Sequence, residues 1–311
     1  MSGRVAVAIV GPTASGKSAL AHAFAMADPR CEILAADAMT VYREMDLATA
    51  KPSPAQRAAV RYHLIDLLDP HETSTVAEWL AAARSAAAEV WGRAGVVLVV
   101  GGTGLYVRAL VDGLTIPGQY PAVRAALEER RDTGEDLHAL LADVDPVAAA
   151  RIEPTNARRV LRALEVTLGA RRPFSSFGPG LGVYGPPRMA QIGLRVPWAE
   201  LDARIESRLR AWMDAGLLEE VARLAGRAGG LSPTARQAVG YRELLTCLEE
   251  GGDVDAALEA AIAQSRRLAR RQMRWFARDP RIEWFDDEAA ARDRLTRLVN
   301  GAEGTVRDWD A

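Results

Sequence analysis

Lysine is nearly missing from this chain: of its 39 basic residues, all but Lys17 and Lys51 are arginine. A chain that uses arginine almost everywhere has kept a compact ammonium at two places, where a point charge serves better than a planar fork. For Lys51, compositional bias plus chance is nearly as good an account; for Lys17 the surrounding motif decides. Cysteine is equally scarce. Cys31 and Cys247 are too few and too far apart for a disulfide framework or a metal site of their own, and four scattered histidines make a Cys/His zinc site improbable. No apolar run is long enough to span a bilayer, and the N-terminus lacks a signal peptide's basic start and cleavage site. A cytoplasmic protein with no membrane partner is expected. The net charge of −2 does not announce a nucleic-acid binder, so such a partner must be met by a local basic face.

What is present is enough for a full core. The chain has 311 residues, 49% of them hydrophobic, which suits one large domain or two small ones. Residues 4–10 form a short apolar run ending in Gly11-Pro12 and read as a buried strand. Residues 32–36, 63–67 and 96–100 are similar runs, separated by helical patterns such as 18–26 and 76–93. Strands alternating with helices predict an α/β fold, a parallel sheet with helices on both faces. From about residue 117 the pattern becomes helical, at 122–132, 137–141, 146–152 and 156–168, followed by a loop rich in Gly and Pro. Residues 189–196 read as one more core strand. The expected organisation is therefore a first part of the core at 1–116, a helical insertion at 117–187, and core completion with basic C-terminal helices at 188–311. The last long helix is expected at 256–279.

Gly11-Pro12-Thr13-Ala14-Ser15-Gly16-Lys17-Ser18 fits the P-loop pattern G-x-x-x-x-G-K-[ST] in full, between a strand and a helix. The glycines let the backbone wrap an anion, which the N–H groups and helix dipole then hold. Lys17 adds a point charge and Ser18 can ligate Mg²⁺. The pattern does not say what carries the phosphates. Asp37 directly follows the second strand, on the sheet edge where ligands bind, and can serve as helix cap, metal-shell acid or general base. Gly101-Gly102-Thr103-Gly104 emerges on the same edge, where Thr103 offers a hydroxyl to a phosphate; an ordinary glycine-rich turn is the plain alternative. In the last helix Arg267, Arg271, Arg274 and Arg278 recur at spacings of four, three and four and share one stripe, flanked by Arg266 and Arg270. A single-sign stripe without interleaved acids suits a phosphate backbone. Arg158, Arg159 and Arg162 form a smaller cluster on the insertion. Trp275 and Phe276 can stack on bases but are more often core residues.

Taken together, these segments resemble the bacterial tRNA dimethylallyltransferase (tRNA isopentenyltransferase) family. The P-loop is similar as it stands, as is the stretch from Asp37 through Tyr42, Met45-Asp46, Thr49 and Ala50-Lys51-Pro52. Gly101 to Tyr106 matches a Gly-Gly-Thr-x-Leu-Tyr segment. Asp145-Pro146, Arg151-Ile152, Arg159 and Arg162-Ala163-Leu164-Glu165 resemble the family's insertion. Val239-Gly240-Tyr241-Arg242 and Arg271-Gln272 with Trp275-Phe276 resemble its C-terminal part. Three departures touch substrate recognition more than the phosphate site. Ala38, Met39 and Thr40 stand where Ser, a variable residue and often Gln follow the aspartate; Tyr62-His63 replaces a histidine pair; Thr155-Asn156 replaces Asn-Asp.

The resemblance implies a P-loop NTPase-like sheet with a tRNA-binding helical insertion, acting as a monomer. It implies transfer of a dimethylallyl group from dimethylallyl diphosphate to N6 of the adenosine 3′-adjacent to the anticodon. Asp37 accepts an N6 proton, while Lys17, Thr103, Arg208 and Mg²⁺ at Ser18 stabilise the leaving diphosphate. The tRNA anticodon stem-loop is then expected to meet Asp37, Ala38, Met39, Thr40, Thr103, Arg124, Arg158, Arg159, Arg162, Gln237, Gly240, Tyr241, Arg242, Arg271 and Arg274. Competing readings are an adenylate isopentenyltransferase acting on a free nucleotide, a metabolite kinase, and an NTP-dependent RNA-binding switch. The insertion and the basic helix count against the first. The segments after Asp37 and Gly101 count against the second, and the lack of an Asn-Lys-x-Asp motif against the commonest version of the third.

Overall fold

The structure is a computed structural model that describes residues 3–307 and 309. Six strands, β1 (Val5–Val10), β2 (Cys31–Ala35), β3 (Tyr62–His63), β4 (Val96–Gly101), β5 (Ala190–Leu194) and β6 (Ile282–Phe285), form one sheet in the order β3-β2-β4-β1-β5-β6. Every pairing is parallel. The two central strands read VAVAIV and VVLVVG, apolar along their length, as strands covered on both faces must be. Helix α1 (Lys17–Ala27) joins β1 to β2, α2 (Pro54–Ala59) joins β2 to β3, α3 (Val76–Gly92) joins β3 to β4, and α4 (Gly104–Val111) follows β4. One face of the sheet is closed by α1, whose Leu20 and Phe24 pack with Val7, Ile9, Ile33 and Val100. The other is closed by α3 and α4. Trp79 of α3 is fully buried, donates its indole N–H to the Ala35 carbonyl (3.3 Å) and stacks on Tyr106 of α4 at 4.4 Å.

Two compact units are distinct, Met1–Gly113 with Pro186–Ala311, and Leu114–Gly185. The second unit holds α5 (Pro121–Asp132), α6 (Leu137–Val144), α7 (Pro146–Ala149) and α8 (Ala157–Ala170) around Leu127, Leu141, Ile152 and Leu164. Its Asp145 is almost fully buried and caps α7 by accepting from Ala148 N–H (3.0 Å). The same carboxylate accepts from the Ser175 N–H and hydroxyl, which ties the following loop to the helices. The first unit resumes at β5 and continues through α9 (Trp198–Asp214), α10 (Leu217–Ala225), α11 (Tyr241–Glu250), α12 (Val254–Phe276), β6 and α13 (Glu288–Asn300). Helices α9 and α12 share an apolar seam of Leu201, Ile205, Leu209, Leu258 and Ile262, and Ala14 of the P-loop packs against it.

Two elements differ from expectation. The strand expected at 63–67 ends at His63, because Leu64 and Asp66 take left-handed backbone (φ 66° and 54°), which breaks an extended run. The chain there bonds instead to the loop after β2, from Asp66 N–H to Thr40 O and Leu67 N–H to Val41 O. The edge strand β6 was not expected. It is only Ile-Glu-Trp-Phe, and its signal is the Asp279-Pro280 break ahead of it. The sheet positions the site, since the ends of β1, β4 and β2 lie side by side and release the P-loop, the Gly101 turn and Asp37 at one edge.

Candidate active site

At the end of β1 the chain turns back at Gly11, where a Cβ would lie 2.9 Å from both the Leu194 carbonyl and Ser15 Oγ. Ala14 and Gly16 take positive φ (65° and 91°), closing the loop onto the first turn of α1. That helix has no side-chain cap at its N-terminus, so its first N–H groups remain open to a ligand with the helix dipole behind them. Lys17 donates back across the loop to Pro12 O (3.0 Å). Burial pushes its ammonium down to about pKa 8, opposed by nearby Asp37 and reinforced by Arg208. Arg208, on α9, donates to Thr13 Oγ1 (2.7 Å) and lies over the Trp212 ring at 4.7 Å. Burial brings its guanidinium down to about 10, and its Nε is enclosed without a hydrogen-bond partner. Two cations short of counter-charge at a helix N-terminus describe an anion site.

The neighbouring strand ends complete it. Asp37 Oδ1 accepts from Met39 N–H (2.8 Å) and so folds residues 37–39 into a tight turn. Thr103 Oγ1 accepts from Ala38 N–H (3.0 Å), and Thr103 N–H donates to Ala36 O (3.2 Å), lashing the turn after β4 to the one after β2. Gly101 lets them meet, since a Cβ there would lie 2.0 Å from the Ala36 carbonyl oxygen. A cavity of about 440 Å³ opens here, with Lys17, Ser18, Asp37 and Arg208 among its polar lining. Its remaining wall is largely apolar and includes Ile33, Ala35, Ile65 and Val100. The cavity thus suits a ligand with a concentrated negative end and a small hydrocarbon end.

Comparison with known proteins shows the family. The IPP transferase family model matches residues 40–279. The chain belongs to the IPP transferase family. It is 47% identical over 286 residues to the tRNA dimethylallyltransferase of Kineococcus radiotolerans, covering 90% of each chain. With that of Bifidobacterium animalis subsp. lactis it shares 44% over 313 residues, covering 98% of this chain and 89% of the other. A solved structure of the full-length tRNA isopentenylpyrophosphate transferase of Bacillus halodurans is 32% identical, covers 95% of each chain and superposes with a TM-score of 0.68.

For an IPP transferase, the arginines sort into two kinds. Arg266 and Arg270 are consumed by Glu206 (2.7 Å) and Asp202 (2.8 Å) of α9, pinning α12 to it. Arg271, Arg274 and Arg278 are exposed with no acidic partner among the described residues, and Arg267 meets only Gln264 (3.2 Å). In the second unit Arg158 and Arg159 are exposed and without ion pairs among the described residues. Arg162 instead donates to Glu165 (2.7 Å) and to the carbonyls of Pro117 and Gly118. Arg124 meets Glu128 (3.0 Å) and Glu165 (3.5 Å).

The remaining sequence candidates are spread just as unevenly. Thr40 is buried. Tyr241 is fully buried, its hydroxyl donating to Glu220, which also accepts from Asp46 N–H (3.0 Å). Gly240 is buried with its N–H on Glu243 (2.8 Å), and Arg242 pairs with the same acid. Gln237 is exposed, while Ala38 and Met39 are half-buried. Tyr241 and Gly240 therefore shape the loop after Asp37 from beneath. Sequence reasoning passes over Glu220, and over Arg204, which reaches Ala14 O (3.4 Å). Neither carries a motif signal.

Lys17 links this site to stability. Its folded pKa of about 8 lies below the ordinary 10.5, so between those values the unfolded chain holds a proton that the folded chain does not. The contribution of this group to stability therefore rises from about pH 8 to 10.5, and below pH 8 the cost of burying the ammonium is felt in full. Lys17→Met is expected to raise the melting temperature of the ligand-free protein at pH 7, with the gain shrinking by pH 10. Melting curves of both proteins at the two pH values check this; no gain at pH 7, or one unchanged at pH 10, contradicts it.

Proposed function

We propose that this chain transfers a dimethylallyl group from dimethylallyl diphosphate to N6 of the adenosine 3′-adjacent to the anticodon of tRNA. The observation that carries the reading is the cavity itself, with Lys17 and Arg208 facing Asp37 beside an apolar wall. The diphosphate lies in the P-loop, on the open N–H groups of α1, Lys17 and Arg208. The hydrocarbon lies against the apolar lining. The adenine is flipped out of the anticodon loop and brought to Asp37. The N6 lone pair attacks C1 of the dimethylallyl group, the C1–O bond breaks, and its electron pair leaves with the diphosphate. Asp37 takes the N6 proton as the bond forms. Charge gathers on the leaving oxygens, where Lys17, Arg208 and the loop N–H groups are already oriented. Thr103, spent on Ala38 N–H, keeps its own hydroxyl proton to donate to the same oxygens.

Mg²⁺ fits as a partner of the diphosphate rather than of the protein alone. No group of three or more His, Cys, Asp and Glu suited to a metal exists among the described residues, but the Ser18 hydroxyl lines the cavity in the first turn of α1. Mg²⁺ takes such a hydroxyl together with phosphate oxygens and water. Bound there it would offset charge on the leaving group. The unpaired arginines of α12, with Arg158 and Arg159, supply the contacts to the tRNA backbone, and the second unit acts in tRNA binding. The enzyme works as a cytoplasmic monomer.

Three measurements test the reading. Incubated with labelled dimethylallyl diphosphate and Mg²⁺, the protein is expected to prenylate an anticodon stem-loop, to act poorly on AMP, and to leave ATP intact. Efficient transfer to AMP would favour the free-nucleotide enzyme, and phosphate transfer from ATP a kinase. Asp37→Ala is expected to lower turnover on the order of a hundredfold with stem-loop affinity largely kept; near-normal turnover removes Asp37 from the chemistry. Neutralising Arg267, Arg271 and Arg274 together is expected to weaken stem-loop binding and flatten its salt dependence, by roughly one unit of slope per lost contact. An unchanged slope returns the stripe to solvent.

A further inference from the structure

Gln272 sits half-buried on α12, and its amide touches two separate parts of the site. Its Oε1 accepts from the Thr13 N–H (2.8 Å), and its Nε2 donates to the Gly102 carbonyl (3.1 Å). We propose that Gln272 is a positioning residue for the transfer reaction, fixing the P-loop relative to the turn after β4. The inference rests on the reading of the P-loop as a diphosphate holder.

The chemistry of the two partners dictates the residue. One is a donor and the other an acceptor, so the bridging group must accept at one atom and donate at the next. A primary amide does both. A carboxylate in its place would set an oxygen against the Gly102 carbonyl, and a shorter Asn would fall short of one partner. Thr13 is thereby held twice, by Gln272 at its N–H and by Arg208 at its hydroxyl (2.7 Å). The two grips come from α12 and α9, which Arg266–Glu206 and Arg270–Asp202 lock together. Gln272 takes the Thr13 N–H and leaves the N–H groups of the first turn of α1 without a side-chain cap. The Thr13 N–H precedes the open N–H groups of the first turn of α1, so holding it aims the loop without competing for the phosphates. Gly102 immediately precedes Thr103, whose hydroxyl is placed by the same clamp. The exposed arginines of α12 project elsewhere on the helix, so loss of the amide leaves them untouched.

Two variants test this in the full-length enzyme. Gln272→Met keeps the side-chain volume and removes both bonds. Gly102→Ala leaves Gln272 in place, but its Cβ would lie 2.4 Å from Nε2 and push the amide away. Calorimetric titration with inorganic diphosphate and Mg²⁺ is expected to show about tenfold weaker binding in each. Turnover on the stem-loop is expected to fall while stem-loop affinity stays at the wild-type value. Should Gln272→Met fail to fold, Gly102→Ala decides alone. Wild-type diphosphate affinity and turnover in the folded variants would overturn the role of Gln272, as would a lowered melting temperature with both unchanged. Failure of the wild-type enzyme to bind diphosphate would overturn the P-loop reading, and this inference with it.

Discussion

The structure depends on an unfavourable arrangement, two cations held out of water at a helix N-terminus before any counter-charge arrives. Lys17 and Arg208 are both driven down from their ordinary pKa values by burial, and among the described residues Asp37 is the carboxylate that offsets Lys17. Burying unpaired charge works against folding, and the rest of the unit has to supply the stability to hold it. Much of the architecture around the cavity follows from that need. The apolar β1 and β4 fix the loop ends, and α9 presses Arg208 onto Thr13. For the transfer proposed above, such an arrangement would give electrostatic preorganisation, since donors aimed in advance need no rearrangement as charge builds on a leaving group.

On one helix, α12, residues spent on packing and on the site stand beside arginines left to solvent. On α12, Arg266 and Arg270 are spent on Glu206 and Asp202, Gln272 is spent on the P-loop, and Arg271, Arg274 and Arg278 are left to solvent. A polyanion on the exposed face and a diphosphate in the loop would thus act on one rigid rod. In the second unit the same division falls between neighbours in sequence, with Arg158 and Arg159 free while Arg162 closes on Glu165.

Legibility in the sequence tracked locality. The P-loop was legible because its function is written in eight consecutive residues, and Asp37 because a strand end fixes an edge without further knowledge. Sheet and helices followed from periodicity, except where non-local pairing overrode it. Residues 64–67 are apolar enough for a strand, yet left-handed Leu64 and Asp66 turn them onto Thr40 and Val41. β6 is four residues long and forms only against β5. Spacing put Arg266 and Arg270 beside the stripe, but only the position of α9 shows them paired. Tyr241 and Gly240 are of the same kind. Their motif marks them, and their burial assigns them to supporting the loop after Asp37. Gln272 bridges partners 259 and 170 residues away, and no local pattern encodes such a contact.

The scarcity of lysine can now be read physically. The Lys51 side chain is 1% exposed, and its ammonium meets the Tyr42 carbonyl, Asp46 (2.8 Å) and Asp66 (2.6 Å). That is three acceptors for three N–H donors diverging from one nitrogen. A guanidinium spreads its donors in a plane and matches carboxylates side by side, as Arg270 does at the two oxygens of Asp202 (3.1 and 2.8 Å). It cannot converge on acceptors arriving from three directions within one small loop. Lys17 faces the same limit, with the Pro12 carbonyl behind it and space for an anion in front. Arginine serves on the exposed stripe and in the forked Arg270–Asp202 pair between α12 and α9, and Arg208 sets its planar fork against Thr13 and the Trp212 ring. Lysine persists where a tight turn of backbone closes around a single point of charge, and both such turns border the same cavity.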